Sequence, residues 1–508
     1  MRALLIRPPY KRLKGFEELP IFSLGVGYLA AVLEAEGHEV GIYHGDNSTG
    51  LGVGIVPDEF TMFRERGESH ARYLRSLGED DHPVWREVRR VIGDFSPDFV
   101  GVSVLTGEVG SALKVSRIAK EMNPSTAVAW GGAHPTFLPD DVLGYGGIDF
   151  IVRGEGESTI AELCASLEGK GPGLRSIRGI SFIEGGKTIH NPDRECIEDL
   201  DALPVPAAHL VLRPGAYRRM PFVGVMASRG CPWKCAYCSS PLFWRRTVRF
   251  RSPGRVIEEV RYLTRTFNAR IVNFLDDNFT VNREYVTELC ERMIEERLNI
   301  SWLTMTRADI LEEPLLKLMK RAGCAGLSIG IESGSDRMLK IIEKRVDLRQ
   351  IREAYELMYR NGITAGANFI IGFPEETLDD IRRTFSLMRS LRTPSIIFNI
   401  FEPLPGSPLM ERCAELGLVP EKPDWRRFGA WPVNHFMKDV SRDDFEKAAS
   451  EIAGWVYRYH RSLTRRLREY RLFIVNDPLF IFRKGWSYIR RRLIRLYLAA
   501  RGGKNNKT

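Results

Sequence analysis

Short runs of apolar and β-branched residues alternate with amphipathic segments along most of this 508-residue chain. This alternation predicts an α/β protein in which helices cover sheets of parallel strands. Between Met1 and about Thr159 it indicates a doubly wound sheet with helices on both faces. The predicted strands there are Ala3 to Arg7, Glu39 to Tyr43, Phe99 to Val104, Ala127 to Trp130 and Phe150 to Val152, and the predicted helices are Gly27 to Glu36 and Ala112 to Met122.

The same alternation returns between about Pro221 and Leu409. It contains six strand and helix units, which is fewer than the eight of a closed barrel. We therefore expect a second sheet of six parallel strands. These predicted strands are Val223 to Met226, Ile271 to Leu275, Trp302 to Met305, Leu327 to Ile331, Ala367 to Ile371 and Ile396 to Phe401.

The length of the chain predicts several domains, because a single hydrophobic core rarely serves more than about 300 residues. The segment from Gly45 to about Val84 fits neither period and is expected to be an insertion over the sheet edge. Gly185-Gly186 predicts a hairpin over 179–192. We predict four regions: an α/β domain over 1–178, a hairpin and linker over 179–220, a six-unit domain over 221–409 and a helical, basic region over 410–508.

Three cysteines, Cys231, Cys235 and Cys238, stand within eight residues directly after a predicted strand. Gly230 and Pro232 bend this stretch into a loop, so the three thiols can surround one metal centre. A structural zinc site normally has four ligands, whereas three thiols without a fourth nearby ligand suit a [4Fe-4S] cluster that leaves one iron open. A coincidental cysteine-rich loop or a labile zinc site is the alternative.

The CxxxCxxC spacing, with Tyr237 before the last cysteine, resembles the radical S-adenosylmethionine (SAM) superfamily. The resemblance implies a partial (β/α)6 barrel and a SAM molecule chelated by the open iron. It also implies that an acidic side chain lies near the SAM amino group, a cation near the carboxylate, and further residues along the ribose and adenine. The implied residues are Asp276 or Asp277 for the amino group, Arg307 for the carboxylate, Glu332 and Ser333 for the ribose, and Ile370 to Gly372 for the adenine. Carboxylates and hydroxyls at strand ends also cap helices, which is the role expected of Asp309 and Ser335.

The loops that follow the strands of the first domain are rich in glycine and polar residues. They resemble the cobalamin-binding domain, a flavodoxin-like fold, that precedes many radical SAM domains. A D-x-H-x-x-G motif, which supplies a histidine to cobalt in some of these domains, is absent after the first strand, so we expect cobalamin to bind without a histidine ligand. The implied cobalamin contacts are Ser103, Thr106, Gly131, Gly132, His134, Gly154, Glu155 and Gly156. Ordinary strand-to-helix turns are the alternative.

The remaining five cysteines are single and far apart, and Cys164 is the first cysteine of the chain. A second three-cysteine cluster in the first domain is therefore excluded, and one cluster is expected. We expect the other cysteines to be small buried apolar residues.

Positive charge is concentrated at the end of the chain. Residues 461–508 contain 14 Lys and Arg against Glu469 and Asp477, a net charge of +12, which leaves −3 for the first 460 residues out of the total of +9. This distribution does not favour a nucleic-acid-binding face on the body of the protein. The segment from Lys484 to Arg501 has the pattern of a basic amphipathic helix, which either contacts an anionic membrane or docks on its own domain.

These observations predict a cytoplasmic enzyme, since no signal peptide or long apolar segment is present and the cysteines suit a reducing compartment. The resemblance implies a 5′-deoxyadenosyl radical and methylation, through methylcobalamin, of an unactivated carbon in a small-molecule or lipid substrate, with an external electron donor. A cobalamin-linked radical cyclase or oxidoreductase is one alternative, and a non-catalytic zinc-binding scaffold protein is another.

Overall fold

The structure, a computed structural model, describes residues 1–16, 20–47, 66–217, 220, 222–428 and 435–462. Its first sheet has seven strands in the order β2-β1-β3-β4-β5-β6-β7, with the first five parallel and the last two antiparallel. The order from β2 to β5 is flavodoxin-like, so the predicted doubly wound sheet is confirmed. The strands are β1 (Arg2–Arg7), β2 (Glu39–His44), β3 (Phe99–Ser103), β4 (Ala127–Gly131), β5 (Phe150–Val152), β6 (Ile180–Glu184) and β7 (Lys187–His190).

Helices cover both faces of this sheet. Strand β1 is fully buried from Ala3 to Ile6, as expected for a parallel strand between two helical layers. Leu24–Ala35 packs beside Glu157–Leu167, and Pro83–Phe95 packs beside Val109–Met122. The helices of this part are Leu24–Ala35, Arg66–Gly78, Pro83–Phe95, Val109–Met122, Ala133–Phe137, Pro139–Gly144 and Glu157–Leu167.

The segment predicted to be an insertion contains a helix, Arg66–Gly78, that the sequence pattern did not predict. The helix is mostly polar, but its Tyr73 is buried and its hydroxyl accepts a hydrogen bond from the Ser111 backbone at 2.9 Å. Tertiary packing therefore stabilises a segment in which the sequence shows no strong apolar period. Residues 48–65 of the predicted insertion lie outside the described residues.

The predicted hairpin is present and closes at Gly185 and Gly186. It pairs with β5 in antiparallel register, Phe150 opposite Phe182, and so continues the first sheet. The following linker returns to this sheet, since Leu212 donates a backbone hydrogen bond to Ile42 at 2.9 Å.

The second sheet has six strands, all parallel, in the order β8-β11-β12-β13-β14-β15. Each of the six predicted strands is present, and β15 and β8 form the edges. These strands are β8 (Phe222–Val225), β11 (Ile271–Phe274), β12 (Ser301–Thr306), β13 (Cys324–Glu332), β14 (Thr364–Ile371) and β15 (Ser395–Ile400), while β9 (Ser228–Arg229) and β10 (Arg249–Phe250) form a separate antiparallel ribbon.

The helices of the second part begin where the sequence provides caps. Ser252 accepts from the Arg255 backbone ahead of Pro253, and Asp347 and Thr377 each form a capping box. The apolar sides of these helices and alternate strand residues form one core. The helices are Ser240–Phe243, Pro253–Phe267, Arg283–Glu295, Glu313–Arg321, Asp336–Ile341, Leu348–Arg360, Leu378–Ser390, Pro408–Glu415 and Arg442–Arg461.

The region after 410 joins the two sheets. Trp425 packs edge-on against His134 of the first part, with ring centroids 5.2 Å apart, and Phe436 packs against Phe401 of the second part. The helix Arg442–Arg461 lies in the region predicted to be helical, whereas the predicted basic helix from Lys484 to Arg501 lies outside the described residues. Within the described ranges, no helix has the length and apolar character needed to cross a bilayer.

Candidate functional site

The three motif cysteines lie on a loop between β9 and the helix Ser240–Phe243. Gly230 enters this loop at φ 111°, and a Cβ there would stand 1.8 Å from the Thr247 carbonyl oxygen, so only glycine fits. The Ala236 amide donates to the Ile342 carbonyl at 2.9 Å, and the Ala236 carbonyl accepts from the Leu409 amide at 2.8 Å. The end of the helix Asp336–Ile341 and the start of the helix Pro408–Glu415 therefore hold the loop.

All three cysteines are free thiols. Burial raises the pKa of Cys231, and it raises the pKa of Cys238 to about 12, so a metal is needed to stabilise their thiolates. Three thiols in one loop are the donor set that a [4Fe-4S] cluster requires. Among the described residues, no group of three or more His, Cys, Asp and Glu side chains is arranged around a single ion.

Arg307 stands beside the cluster loop. Its Nη1 atom lies 3.9 Å from the Cys235 sulfur, and its guanidinium stacks over the Trp233 ring at 4.6 Å. Asp309 pairs with it at 2.9 Å through Nε, so the expectation that Asp309 caps a helix is wrong. Ser335, in contrast, accepts from the Met338 backbone and is the predicted helix cap.

Glu332 ends β13 with a φ of 67°, which is unusual for a residue with a side chain. Its Oε1 atom accepts from the Tyr237 hydroxyl at 2.9 Å and from Lys344 Nζ at 2.8 Å. Lys344 also donates to the Tyr237 oxygen at 3.2 Å, and its carbonyl accepts from Arg307 at 2.7 Å. A Cβ on Gly330 would lie 2.3 Å from Glu332 Oε1, so this glycine makes room for the pair.

Lys344 was not identified from the sequence. It lies in the loop after the helix Asp336–Ile341 and is nearly fully buried. A lysine that is buried against a strand-end glutamate joins the cluster loop, Glu332 and Arg307 into one charged group. Only the folded chain shows this, because nothing in the local sequence distinguishes Lys344 from exposed Lys340.

The two predicted aspartates have different surroundings. Asp276 is buried and accepts from the Ala227 amide at 3.1 Å and from both the amide and the hydroxyl of Ser228 at 2.6 Å. It therefore fixes the backbone that leads into the cluster loop, and burial raises its pKa to about 6. Asp277 is exposed at the end of the same strand, and its charge adds to the effect of burial in raising the pKa values of Cys231 and Cys238.

Ser333 and Gly372 lie at the ends of β13 and β14. Ser333 is fully buried, with its hydroxyl 3.2 Å from Thr384 Oγ1. Gly372 has a φ of 91°, and its amide donates to Glu376 Oε2 at 2.5 Å, as does the Phe373 amide at 3.2 Å. The roles of Ser333 and Gly372 toward SAM stay predictions.

A cavity of about 270 Å³ opens at the carboxyl ends of the first sheet. Gly132, with a φ of 105°, would place a Cβ 2.8 Å from the Val104 carbonyl oxygen, so the loop after β4 requires glycine there. Strand-end residues line the cavity, namely Ser103, Gly131, Gly132, Gly154, Glu155 and Gly156, together with Met226, Arg229, Phe243 and Trp244 from the second part of the chain. Apolar walls with few polar groups suit a large organic cofactor.

Thr106 and His134 are not among the lining residues. They lie 3.4 Å from each other through Thr106 Oγ1 and His134 Nδ1, and burial lowers the pKa of His134 to about 4. Their predicted contact with cobalamin stays a prediction.

Glu155 joins the two parts of the chain. Its carboxylate pairs with Arg229 at 2.6 Å and with Arg249 at 2.7 Å, and Arg229 also pairs with Glu157 at 2.6 Å. All four side chains are nearly fully buried. The ribbon of β9 and β10 therefore places Arg229 in the cavity wall, two residues before Cys231.

Family models match both parts of the chain: the B12 binding domain over residues 62–164 and the radical SAM superfamily over 225–388. An uncharacterised methyltransferase of Pyrococcus horikoshii is 32% identical over 486 residues, which cover 94% of this chain and 97% of that relative. The chain belongs to the radical SAM superfamily and carries its B12-binding domain. Its cofactors are a [4Fe-4S] cluster, SAM and cobalamin.

Two solved structures share the fold of this radical SAM protein. The methyltransferase TsrM from Kitasatospora setae has a TM-score of 0.65 at 18% identity, over 82% of this chain and 77% of that one. The cobalamin-dependent SAM radical enzyme OxsB has a TM-score of 0.67 at 16% identity, over 100% of this chain and 82% of that one. In both cases the similarity extends over most of the two chains, so it includes both sheets of this protein.

Proposed function

We propose that this enzyme transfers a methyl group to an unactivated carbon of a small-molecule or lipid substrate. When bound, the reduced cluster supplies the electron that cleaves SAM, and cobalamin carries the methyl group. The hopanoid C-3 methylase of Methylococcus capsulatus is 28% identical over 355 residues, covering 67% of this chain and 62% of that relative. Together with the Pyrococcus relative, it supports methyl transfer.

One observation carries this proposal: the wall of the first-domain cavity includes Arg229, Phe243 and Trp244, which flank the cluster loop on both sides. A cofactor in that cavity would lie next to the cluster, so the methyl carrier and the radical source would face one substrate. The buried ion pair of Arg229 and Glu155 closes this part of the cavity wall to water, which would protect reactive species formed between the two cofactors.

We assign the SAM contacts to the residues that converge around the cluster loop. Asp277 is exposed at a strand end and suits the ammonium, while Arg307 suits the carboxylate. Glu332 is oriented by Tyr237 and Lys344, which occupy one carboxylate oxygen and leave the other for a ribose hydroxyl. The backbone at Gly372 would contact the adenine. Asp276 would act indirectly, because it holds the backbone of Ala227 and Ser228 that leads into the cluster loop.

The test uses anaerobically reconstituted protein with SAM and a reductant, with and without methylcobalamin. We expect 5′-deoxyadenosine and S-adenosylhomocysteine, since one SAM provides the radical and a second provides the methyl group. Replacing Cys231, Cys235 or Cys238 by alanine should abolish 5′-deoxyadenosine, whereas the control Cys196→Ala should retain it. Full 5′-deoxyadenosine production by any of the three variants would refute the cluster assignment.

A second candidate function is oxidative ring formation without methyl transfer. It is favoured by similarity to the anaerobic magnesium-protoporphyrin IX monomethyl ester cyclase of Rubrivivax gelatinosus, which is 32% identical over 367 residues. This chain spans 65% of that relative's length. SAM labelled in its methyl group separates the two functions, because only methyl transfer places the label in the product.

We further propose that residues 461–508, with a net charge of +12, bring the enzyme to anionic membranes that hold a lipid substrate. An external electron donor would reduce the cluster. This proposal is supported by the charge distribution of the sequence alone, because residues 463–508 lie outside the described residues.

A further inference from the structure

A short loop after β13 contacts several of the elements that converge at the cluster. We call its residues, 342–345, the bracket loop. The Ile342 carbonyl accepts from the Ala236 amide of the cluster loop at 2.9 Å. The Lys344 carbonyl accepts from the Arg307 guanidinium at 2.7 Å. The backbone of the bracket loop therefore joins the cluster loop to the residue that follows β12.

The backbone of the bracket loop has an uncommon shape. Glu343 and Arg345 have φ values of 51° and 54°, in the left-handed region that few residues with a Cβ adopt. The Lys344 amide donates to the Leu339 carbonyl at 2.9 Å, so the loop folds back on the preceding helix. Lys344 stands between the two left-handed residues and is only 6% exposed. Backbone strain of this kind is concentrated at functional sites, where the surrounding structure maintains it.

The Lys344 ammonium meets the end of β13. Its Nζ atom donates to Glu332 Oε1 at 2.8 Å and to the Tyr237 oxygen at 3.2 Å. The register between β13 and β14 shifts between Gly330 and Glu332, and Glu332 has a φ of 67°. An irregularity of this kind redirects a side chain. Here it turns the Glu332 carboxylate toward Lys344.

Lys344 compensates the charge of a carboxylate that is almost out of reach of water. The side chains of Lys344 and Glu332 are each 8% exposed, so loss of the lysine would leave a buried carboxylate without its cation. This carboxylate would also stand near the cluster loop, whose cysteines bind metal as thiolates and repel another negative charge. Without Lys344 the Glu332 carboxylate would therefore turn toward another donor or toward water.

We propose that Lys344 is a positioning residue for SAM, which acts by holding the Glu332 carboxylate toward the ribose. This inference rests on the proposed function, which assigns the ribose to Glu332. Tyr237 and Lys344 both donate to Oε1, so the direction of the second carboxylate oxygen is fixed before SAM arrives. A site that is held in its binding geometry loses less freedom when the ligand enters. Lys344 therefore contributes to SAM affinity without contacting the reacting atoms.

The experiment measures SAM binding to the full chain carrying its cluster, from the change that SAM causes in the electron paramagnetic resonance signal of the reduced cluster. We expect Lys344→Met to weaken SAM binding about ten-fold, because a hydrogen bond to a charged group is lost. Lys340→Met makes the same change at an exposed position of the preceding helix and should bind SAM as the wild type does. At saturating SAM, Lys344→Met should form 5′-deoxyadenosine within about two-fold of the wild-type rate, because the substitution impairs binding and leaves bond cleavage intact.

A double-mutant cycle tests whether Lys344 acts through Glu332. Glu332→Gln should itself weaken SAM binding, and adding Lys344→Met in that background should weaken it by less than about two-fold more. Equal losses in the two backgrounds would overturn the inference. Wild-type SAM affinity in Lys344→Met would overturn it as well, and so would a lower rate at saturating SAM with unchanged affinity.

If Lys344→Met loses its circular dichroism spectrum, Tyr237→Phe takes its place in the cycle, because Tyr237 donates to the same oxygen at 2.9 Å. Tyr237→Phe should weaken SAM binding in the wild-type background and leave it unchanged in Glu332→Gln, and equal losses in both would again overturn the inference. The binding measurement needs neither cobalamin nor the methyl acceptor. A wild type that shows this cycle and transfers no methyl group would therefore refute the proposed function alone.

Discussion

Glu376 follows β14 and is a buried carboxyl group with an unusual environment. Its Oε2 atom accepts from the Gly372 and Phe373 amides, and its Oε1 atom is buried without a hydrogen-bond partner among the described residues. Burial raises the pKa of Glu376 from 4.5 to about 8. At about 1.4 kcal/mol per pKa unit, this difference corresponds to on the order of 5 kcal/mol.

The sign follows from where the proton is bound. The unfolded chain releases this proton near pH 4.5, whereas the folded protein keeps it up to about pH 8. The folded state therefore loses stability as pH rises between these values. In Glu376→Gln the amide oxygen accepts the same two backbone hydrogen bonds, and no ionisation occurs. Between pH 5 and pH 8 the free energy of unfolding of this variant should rise by about 3 kcal/mol relative to that of the wild type.

The assay is urea unfolding of the two proteins at pH 5, 6, 7 and 8, followed by fluorescence. Taking the difference between the proteins removes the titration of all other groups. Glu375→Gln is the control, because it removes the neighbouring carboxylate, which pairs with Arg412 near the surface at 2.7 Å. A difference between wild type and Glu376→Gln that stays constant with pH would refute the raised pKa.

Three further predictions concern the domain junction, the cobalt ligand and the tail. Arg229→Met should destabilise the fold by about 3 kcal/mol in urea titrations and weaken cobalamin binding, because it leaves the buried Glu157 carboxylate unpaired and Glu155 with Arg249 alone; unchanged cobalamin affinity would contradict the role in the cavity wall. Electron paramagnetic resonance of bound Co(II) should show no nitrogen splitting that changes when the protein is labelled with ¹⁵N, and splitting lost in His134→Gln would contradict this. The full chain should sediment with anionic vesicles and a chain truncated after Ser462 should not, because each basic residue near the membrane surface contributes about 1 kcal/mol to binding. Equal binding by both chains would contradict the membrane proposal.

The sequence predicted both sheets because their strands are short, apolar and separated by amphipathic segments. It also predicted which residues would follow the strands at the carboxyl edge of each sheet, since the carboxyl ends of parallel strands share one edge. The cluster loop was recognisable because Cys231, Cys235 and Cys238 are close in sequence. In these cases the signal is local.

Other features depend on contacts between distant segments. The sequence does not show that Glu155 pairs with Arg229, 74 positions away, because it does not say which loops of the two domains meet. It predicted a cap at Asp309, where a nearby arginine provides a stronger partner than a helix end. Lys344 was missed for the same reason, since its burial against Glu332 arises from the packing of a loop on the sheet.

The ribbon of β9 and β10, which carries Arg229 and Arg249, also limits how this protein can be divided into separate domains. Residues 1–220 carry Glu155 and Glu157, but their cations, Arg229 and Arg249, belong to the following domain. A foreign second domain that covers these two carboxylates without supplying the arginines would leave them buried and unpaired, at a cost of about 3–5 kcal/mol for a broken buried pair. A chimera that exchanges this domain between relatives would therefore have to bring the matching ribbon with it, because the carboxylates and their arginines lie on different domains.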